Sequence, residues 1–298
     1  MSISLQRKVL YTALTTTLFL LLLEVLLAVA PWAWLSARAP VPDLPVTDGS
    51  VILCVGDSVT AGVGVPVGQS WSEHLGLSMR RHQVPVLREA VPGAGVDFAA
   101  GAPLDALAGL GDGVAPTVLV MLGHNDMVRW APGARSQFNR LRNQGGALGG
   151  EAARWQGPRL LRAARWVWLA ASRSAPAVAQ VEEGALAGRM VATYAPLRDA
   201  AAARGGRLVL LTYLVPGAPP EGLDPSVAEI VSASRGAQRS VNRAIRTAGG
   251  ELGVDVFDLE RSVDTGEVWS LSAFVDHIHP TAESSARAAA VLYEHMRP

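Results

Sequence analysis

Five short strand-like runs punctuate this 298-residue chain, at 51–55, 86–90, 117–122, 207–213 and 254–258. Helix-length stretches near 70–82, 97–109, 187–204, 226–248 and 281–296 follow them in turn. Strands that alternate with helices must be joined by crossovers, and crossovers put consecutive strands parallel with helices on the sheet faces. Right-handed crossovers then predict an α/β fold: a three-layer α/β/α, flavodoxin-like parallel sheet. About 250 residues lie beyond the N-terminal segment, enough for one domain with a large core.

The first run, Val51-Ile52-Leu53-Cys54-Val55, is continuously apolar, as a strand buried on both faces should be. It stops at Gly56-Asp57-Ser58, where a glycine and two capping-type side chains suit a sharp turn out of the sheet. Open α/β sheets hold their ligands just past the carboxyl ends of their strands, so Ser58 is placed for chemistry. A second buried run, Thr117 to Leu122, ends in Gly123-His124-Asn125-Asp126. Near the C-terminus stands Asp276-His277-Ile278-His279-Pro280. Together the three stretches supply a nucleophile, a base, an acid to orient the base, and an amide donor.

In this order the three blocks resemble those of the SGNH (GDSL-like) serine hydrolases. The likeness extends through Gly56-Asp57-Ser58-Val59-Thr60-Ala61-Gly62 and on to Ser70-Trp71 and Leu75. It also takes in Val91-Pro92-Gly93, which resembles the family's second block, and spans roughly residues 51–295. The resemblance implies the same flavodoxin-like fold and an esterase or lipase-like activity that needs no cofactor. One position departs from the pattern. Five residues before its glycine the family's second block often has asparagine, and here Arg88 stands there. That change either brings a guanidinium near the site or merely alters strand packing.

An unassisted serine hydroxyl is a poor nucleophile at neutral pH and needs a neighbouring base. His279 can take the proton of Ser58 and return it to the leaving group, while Asp276 binds the far ring nitrogen and fixes its tautomer. His277 is equally titratable, but the resemblance assigns the base to the histidine before proline. It likewise implies an oxyanion hole made by the backbone amides of Ser58 and Gly93 and the side chain of Asn125. Gly93 admits close backbone approach, with Gly95 as the neighbouring alternative, and Asn125 carries an NH₂ donor that an aspartate lacks. Asp-x-x-His followed by proline also suits a capped helix start, and capping does not exclude catalysis. No metal is expected, because the six histidines and one cysteine show no paired ligand spacing.

The net charge of +0 gives no argument for a nucleic-acid partner. Cys54 is the only cysteine, so no internal disulfide forms. Residues 1–35 read as a transmembrane signal-anchor: Val9 to Ala30 is one apolar run, carrying Glu24, with Arg7 and Lys8 before it and Trp32 and Trp34 after. About 20 such residues span a bilayer, and the leading basic pair predicts a cytoplasmic N-terminus and an extracytoplasmic domain. Cleavage of this segment as a signal peptide, which would secrete the domain, is the rival reading. Residues 36–50 read as a linker and 51–298 as the hydrolase-like domain. Inside it an insertion of about 127–185 is rich in arginine and tryptophan, with its charge and rings concentrated in 127–174. That composition suits either an anionic surface or a satellite core. The leading expectation is a membrane-anchored esterase acting on an acyl ester of a lipid or an envelope glycan. An O-acetyltransferase or O-acetylesterase on an envelope polysaccharide is the near alternative. A non-catalytic binding module on the same fold is a third reading, which the presence of Ser58, Asp276 and His279 disfavours.

Overall fold

Strand β1 (Ser50–Gly56) lies between β2 (Val86–Ala90) and β3 (Ala115–Met121), with β4 (Arg207–Leu211) and β5 (Asp255–Phe257) beyond β3. The computed structural model describes residues 15–19, 49–127 and 182–297. All strand pairs are parallel, and the order is β2-β1-β3-β4-β5, the flavodoxin-like arrangement expected from the alternation of elements. Every residue of β1 after Ser50 is buried, as its uninterrupted apolar run requires.

The register brings three strand ends level. Gly56 pairs with Ala90 on one side and Met121 on the other. The Gly-Asp-Ser turn, the Pro92-Gly93 turn and the Gly123-His124-Asn125 turn therefore leave the sheet side by side. Sequence separation is irrelevant there.

Eight helices follow the described strands. They are α1 (Ser58–Ala61), α2 (Trp71–Met79), α3 (Ala102–Ala108), α4 (His124–Met127), α5 (Glu183–Ala202), α6 (Pro225–Leu252), α7 (Leu259–Ser262) and α8 (Ala282–Met296). The strand order steps from β1 back to β2 and then forward to β3, so right-handed crossovers put α2 on one face and α3, α5 and α6 on the other. The packing agrees: α2 lies against α8, and α5 lies against both α6 and α3. Trp71, Leu75 and Met79, one turn apart, form the buried stripe of α2. Ser70 caps this helix by accepting from the Glu73 N–H, while the Glu73 carboxylate accepts from the Ser70 N–H.

The departures from the expected elements are local. The helix expected at 97–109 is a 3₁₀ turn, Val96–Ala100, followed by α3, with Gly101 between them and Pro103 near the new start. The strand expected at 207–213 ends at Leu211, because α6 intrudes: the Asn242 side chain accepts from the Tyr213 N–H and donates to the Tyr213 carbonyl. Chain contacts separate a unit Met1–Asp43 from a unit Leu44–Pro298, a boundary inside the expected linker. In the first unit residues 15–19 are helical, and the rest of the apolar run Val9–Ala30 lies outside the described residues. Among the described residues no helix is long and apolar enough to cross a membrane. Residues 128–181, almost all of the Arg/Trp-rich insertion, also lie outside them.

Candidate active site

Ser58 opens α1 immediately beyond β1. Asp57 is the N-cap, its Oδ1 accepting from the Val59 N–H at 2.9 Å. A Cβ on Gly56 would collide with Thr60, so only glycine lets the chain fold back this closely.

Asp276 and His279, the expected acid and base, come from one closed loop far along the chain. The Val275 N–H donates to the His279 carbonyl at 2.8 Å, the Thr281 N–H to the Ala273 carbonyl at 3.0 Å, and Phe274 pairs antiparallel with Pro280. Inside the loop Asp276 Oδ1 accepts from the N–H groups of Ile278 and His279, at 2.9 and 2.8 Å. The indole N–H of Trp269 donates to the Asp276 carbonyl. His279 Nδ1 lies 2.7 Å from Asp276 Oδ2, and His279 Nε2 lies 2.9 Å from Ser58 Oγ. A carboxylate only accepts, so Nδ1 carries the proton and Nε2 is free to accept from the serine hydroxyl. Burial alone would raise the Asp276 carboxyl, but the charge and hydrogen bonds of His279, with the charge of His277, hold it well below the usual carboxylate range. All three side chains are buried. It is the ring of His279, not that of His277, that bridges Asp276 and Ser58.

The donors named from the resemblance lie at two further strand ends. The Ala94 N–H closes onto the Val91 carbonyl at 3.0 Å, around Pro92 and a Gly93 whose φ is +86°. Proline at the second position and a positive-φ glycine at the third are the type II pattern, so the sequence itself dictates this turn. The Gly93 N–H takes no part in the turn's hydrogen bond. Asn125 Nδ2 donates to the Ala94 carbonyl at 2.9 Å and to Asp57 Oδ2 at 3.3 Å. Both neighbours are acceptors, which fixes the orientation of the amide.

Two carboxylates take part that sequence reasoning left without a role. Asp57 Oδ2 accepts from the Tyr213 hydroxyl at 2.8 Å as well as from Asn125. Burial pushes its carboxyl up to about 6, against the opposing hydrogen bonds from Val59 and Tyr213 and the charge of His279. Asp126 Oδ2 accepts from the Val96 N–H at 2.8 Å, and its Oδ1 pairs with Arg189 of α5 at 3.0 Å. A Cβ on Gly95 would stand 2.8 Å from Asp126 Oδ1, so the second glycine of Pro92-Gly93-Ala94-Gly95 serves this contact. Both aspartates lie within the quoted motifs; Tyr213 and Arg189 carry no local pattern that marks them.

His124 is buried, and neither ring nitrogen has a hydrogen-bond partner among the described residues. Burial first, then the charges of His277 and His279, pushes its pKa down to about 3, which keeps it neutral. Arg88 reaches Ser70 Oγ and Glu73 Oε1, both at 3.3 Å, so its guanidinium serves the cap of α2. Cys54 is fully buried, which pushes its thiol up to about 12. Among the described residues no cluster of histidine, cysteine and carboxylate side chains is arranged to hold a metal ion.

Solved structures share this arrangement of chain. A carbohydrate acetylesterase from Sinorhizobium meliloti superposes with a TM-score of 0.50 at 14% identity, over 83% of this chain and 97% of its own. The native aryl esterase of M. smegmatis does so with a TM-score of 0.50 at 16% identity, over 83% of this chain and 98% of its own. An extracellular lipase from Streptomyces rimosus gives a TM-score of 0.50 at 17% identity, over 82% of this chain and 99% of its own. At these identities the likeness is one of fold. No curated protein matches the sequence. The sequence model of the GDSL-like lipase/acylhydrolases matches residues 54–287, a span that holds the Gly-Asp-Ser turn, the Pro92-Gly93 and Gly123-His124-Asn125 turns and the Asp276–His279 loop. The chain therefore belongs to the GDSL-like lipase/acylhydrolase family and is a hydrolase of ester bonds.

Proposed function

We propose that this protein cleaves a carboxylic ester through an acyl-enzyme formed on Ser58. The observation that carries this reading is the unbroken pair of contacts at His279, 2.9 Å to Ser58 Oγ and 2.7 Å to Asp276 Oδ2. Ser58 Oγ attacks the ester carbonyl as its proton passes to His279 Nε2, and the electron pair moves onto the carbonyl oxygen. Asp276, ionised across the physiological range, stabilises the imidazolium so formed. The amides of Ser58 and Gly93 and the side chain of Asn125 receive the oxyanion, each such donor contributing about 2.7–4 kcal/mol. When the tetrahedral species collapses, the ester C–O bond breaks and His279 gives its proton to the leaving alcohol. Water then repeats the sequence against the acyl-enzyme: His279 removes its proton, the acid departs, and Ser58 regains its hydrogen. An acyltransferase would differ only in admitting a sugar hydroxyl at this second stage.

The substrate is an acyl ester presented near a membrane, on a lipid or an envelope glycan. The supporting features are the apolar run Val9–Ala30, the basic pair before it and the short linker after it. A fluorophosphonate probe tests the catalytic reading. Labelling of Ser58 that disappears in Ser58→Ala, together with loss of ester turnover, is expected; labelling at another serine overturns the assignment. Protease protection in spheroplasts tests the location, and a domain shielded by an intact inner membrane overturns it.

A further inference from the structure

The Asn125 amide has two hydrogens, and both are engaged. The Ala94 carbonyl takes one at 2.9 Å, within ordinary N–H···O length. Asp57 Oδ2 takes the other at 3.3 Å, a loose bond, while the same oxygen accepts the Tyr213 hydroxyl at 2.8 Å. A buried carboxylate oxygen that lacks a close donor draws in whichever donor it can reach. Here the close donor is Tyr213. Its presence leaves the second Asn125 hydrogen weakly held and able to turn to a developing oxyanion.

Tyr213 is held where it can do this and little else. Its ring is almost fully buried, 6.0 Å from the ring of His124. Its main chain is gripped at both N–H and carbonyl by Asn242, at 2.8 and 2.9 Å. Asn242 in turn donates to Glu260 Oε2, which also accepts from Arg246, and Arg246 binds Asp258 through two nitrogens. The hydroxyl is thus presented to Asp57 by a fixed scaffold that has no part in the proton transfers at Ser58.

We infer that Tyr213 is a positioning residue for ester cleavage, its hydroxyl satisfying Asp57 so that the Asn125 amide remains available to the oxyanion. The inference deepens the proposed function and rests on it. Tyr213 acts through Asn125: among the described residues its hydroxyl bonds Asp57, while Ser58 and His279 bond each other. Removing the hydroxyl leaves Asp57 to compete with the oxyanion for the Asn125 amide. The cost should fall on the transition state and spare substrate binding.

The test is a double-mutant cycle on a chromogenic acetyl ester with the full-length chain: Tyr213→Phe, Asn125→Ala and the pair. Loss of a whole oxyanion donor lowers kcat about 10²–10³-fold, so Asn125→Ala should fall in that range. Tyr213→Phe, which weakens the donor without removing it, should lower kcat about 10–100-fold with KM unchanged. In the Asn125→Ala background Tyr213→Phe should have no further effect. Losses that multiply, or a Tyr213→Phe enzyme with wild-type kcat, overturn the inference. Should Tyr213→Phe fail to fold in a thermal melt, Asp57→Asn replaces it: it keeps an acceptor for the Val59 N–H but puts an NH₂ where Oδ2 competes for the Asn125 amide. Asp57→Asn should then keep kcat within about threefold of wild type, and a loss as large as that of Asn125→Ala overturns the inference. The coupling is read from turnover and the nucleophile from labelling at Ser58, so failure of one is distinguishable from failure of the other.

Discussion

Replacing Asp276 by asparagine isolates a single function of that side chain. Asp276 Oδ1 holds the N–H groups of Ile278 and His279, and Oδ2 faces His279 Nδ1. An asparagine keeps the two main-chain bonds only by pointing its oxygen at them, which turns its NH₂ toward the ring. An NH₂ group only donates, so Nδ1 must become the acceptor and the ring proton must move to Nε2. The ring then offers Ser58 a hydrogen when it should accept one. The opposite orientation would abandon two buried N–H groups at about 1–3 kcal/mol each, so the loop holds the unproductive tautomer in place. The same substitution in serine proteases lowers kcat by about 10⁴, equivalent to about 5 kcal/mol of transition-state stabilisation. We expect a loss of that order in Asp276→Asn, measured with a chromogenic ester. The melting temperature should change little, because the loop's main-chain bonds survive. An Asp276→Asn enzyme within tenfold of wild type, beside an inactive His279→Ala, would refute the claim that Asp276 sets the tautomer.

Two further outcomes follow from the surrounding carboxylates. Asp57 has its folded pKa raised to about 6 from an ordinary value of 3.8, so the stability it confers is fully present below the ordinary value and is lost as pH rises toward 6. The loss is about 3 kcal/mol, and denaturant midpoints for Asp57→Asn between pH 4 and 6.5 should lack it; a parallel decline in variant and wild type argues against that titration. Gly95→Ala puts a Cβ within 2.9 Å of both Asp126 oxygens, which Val96 and Arg189 hold in place. We expect about 1–3 kcal/mol of destabilisation with lowered turnover, and a melt shifted by less than about 0.5 kcal/mol would show that Asp126 yields freely.

The sheet was legible because each strand is a contiguous run bounded by turn formers, and the strand–helix alternation admits few topologies. Ser58, Asp276 and His279 were legible for a related reason: each lies in a short motif whose neighbours demand a particular turn. The Asp57–Tyr213 contact joins residues 156 positions apart, and nothing local to Tyr213 distinguishes it from another aromatic at a strand end. Arg189 is similar, an arginine on a long helix whose partners Asp97 and Asp126 only the fold brings near. The end of β4 was overestimated because Thr212 and Tyr213 continue the strand-like pattern, while the side chain that captures Tyr213 belongs to α6. Patterns along a chain report what a segment does alone. They are silent on which distant side chain will claim its polar groups.

The loop from Ala273 to Thr281 carries acid and base within its own ring of main-chain bonds. The His279–Asp276 alignment is therefore set largely within nine consecutive residues, with Trp269 bracing the Asp276 carbonyl from just outside them. The tertiary structure has still to maintain the 2.9 Å between His279 Nε2 and Ser58 Oγ, and the contacts of Asn125 and Tyr213 with Asp57. Chain inserted between Ser58 and Ala273, such as the Arg/Trp-rich segment after Met127, can lengthen or change its character without altering the loop itself. A chain built in this way can vary its inserted segments while Asp276 and His279 travel together in one short loop.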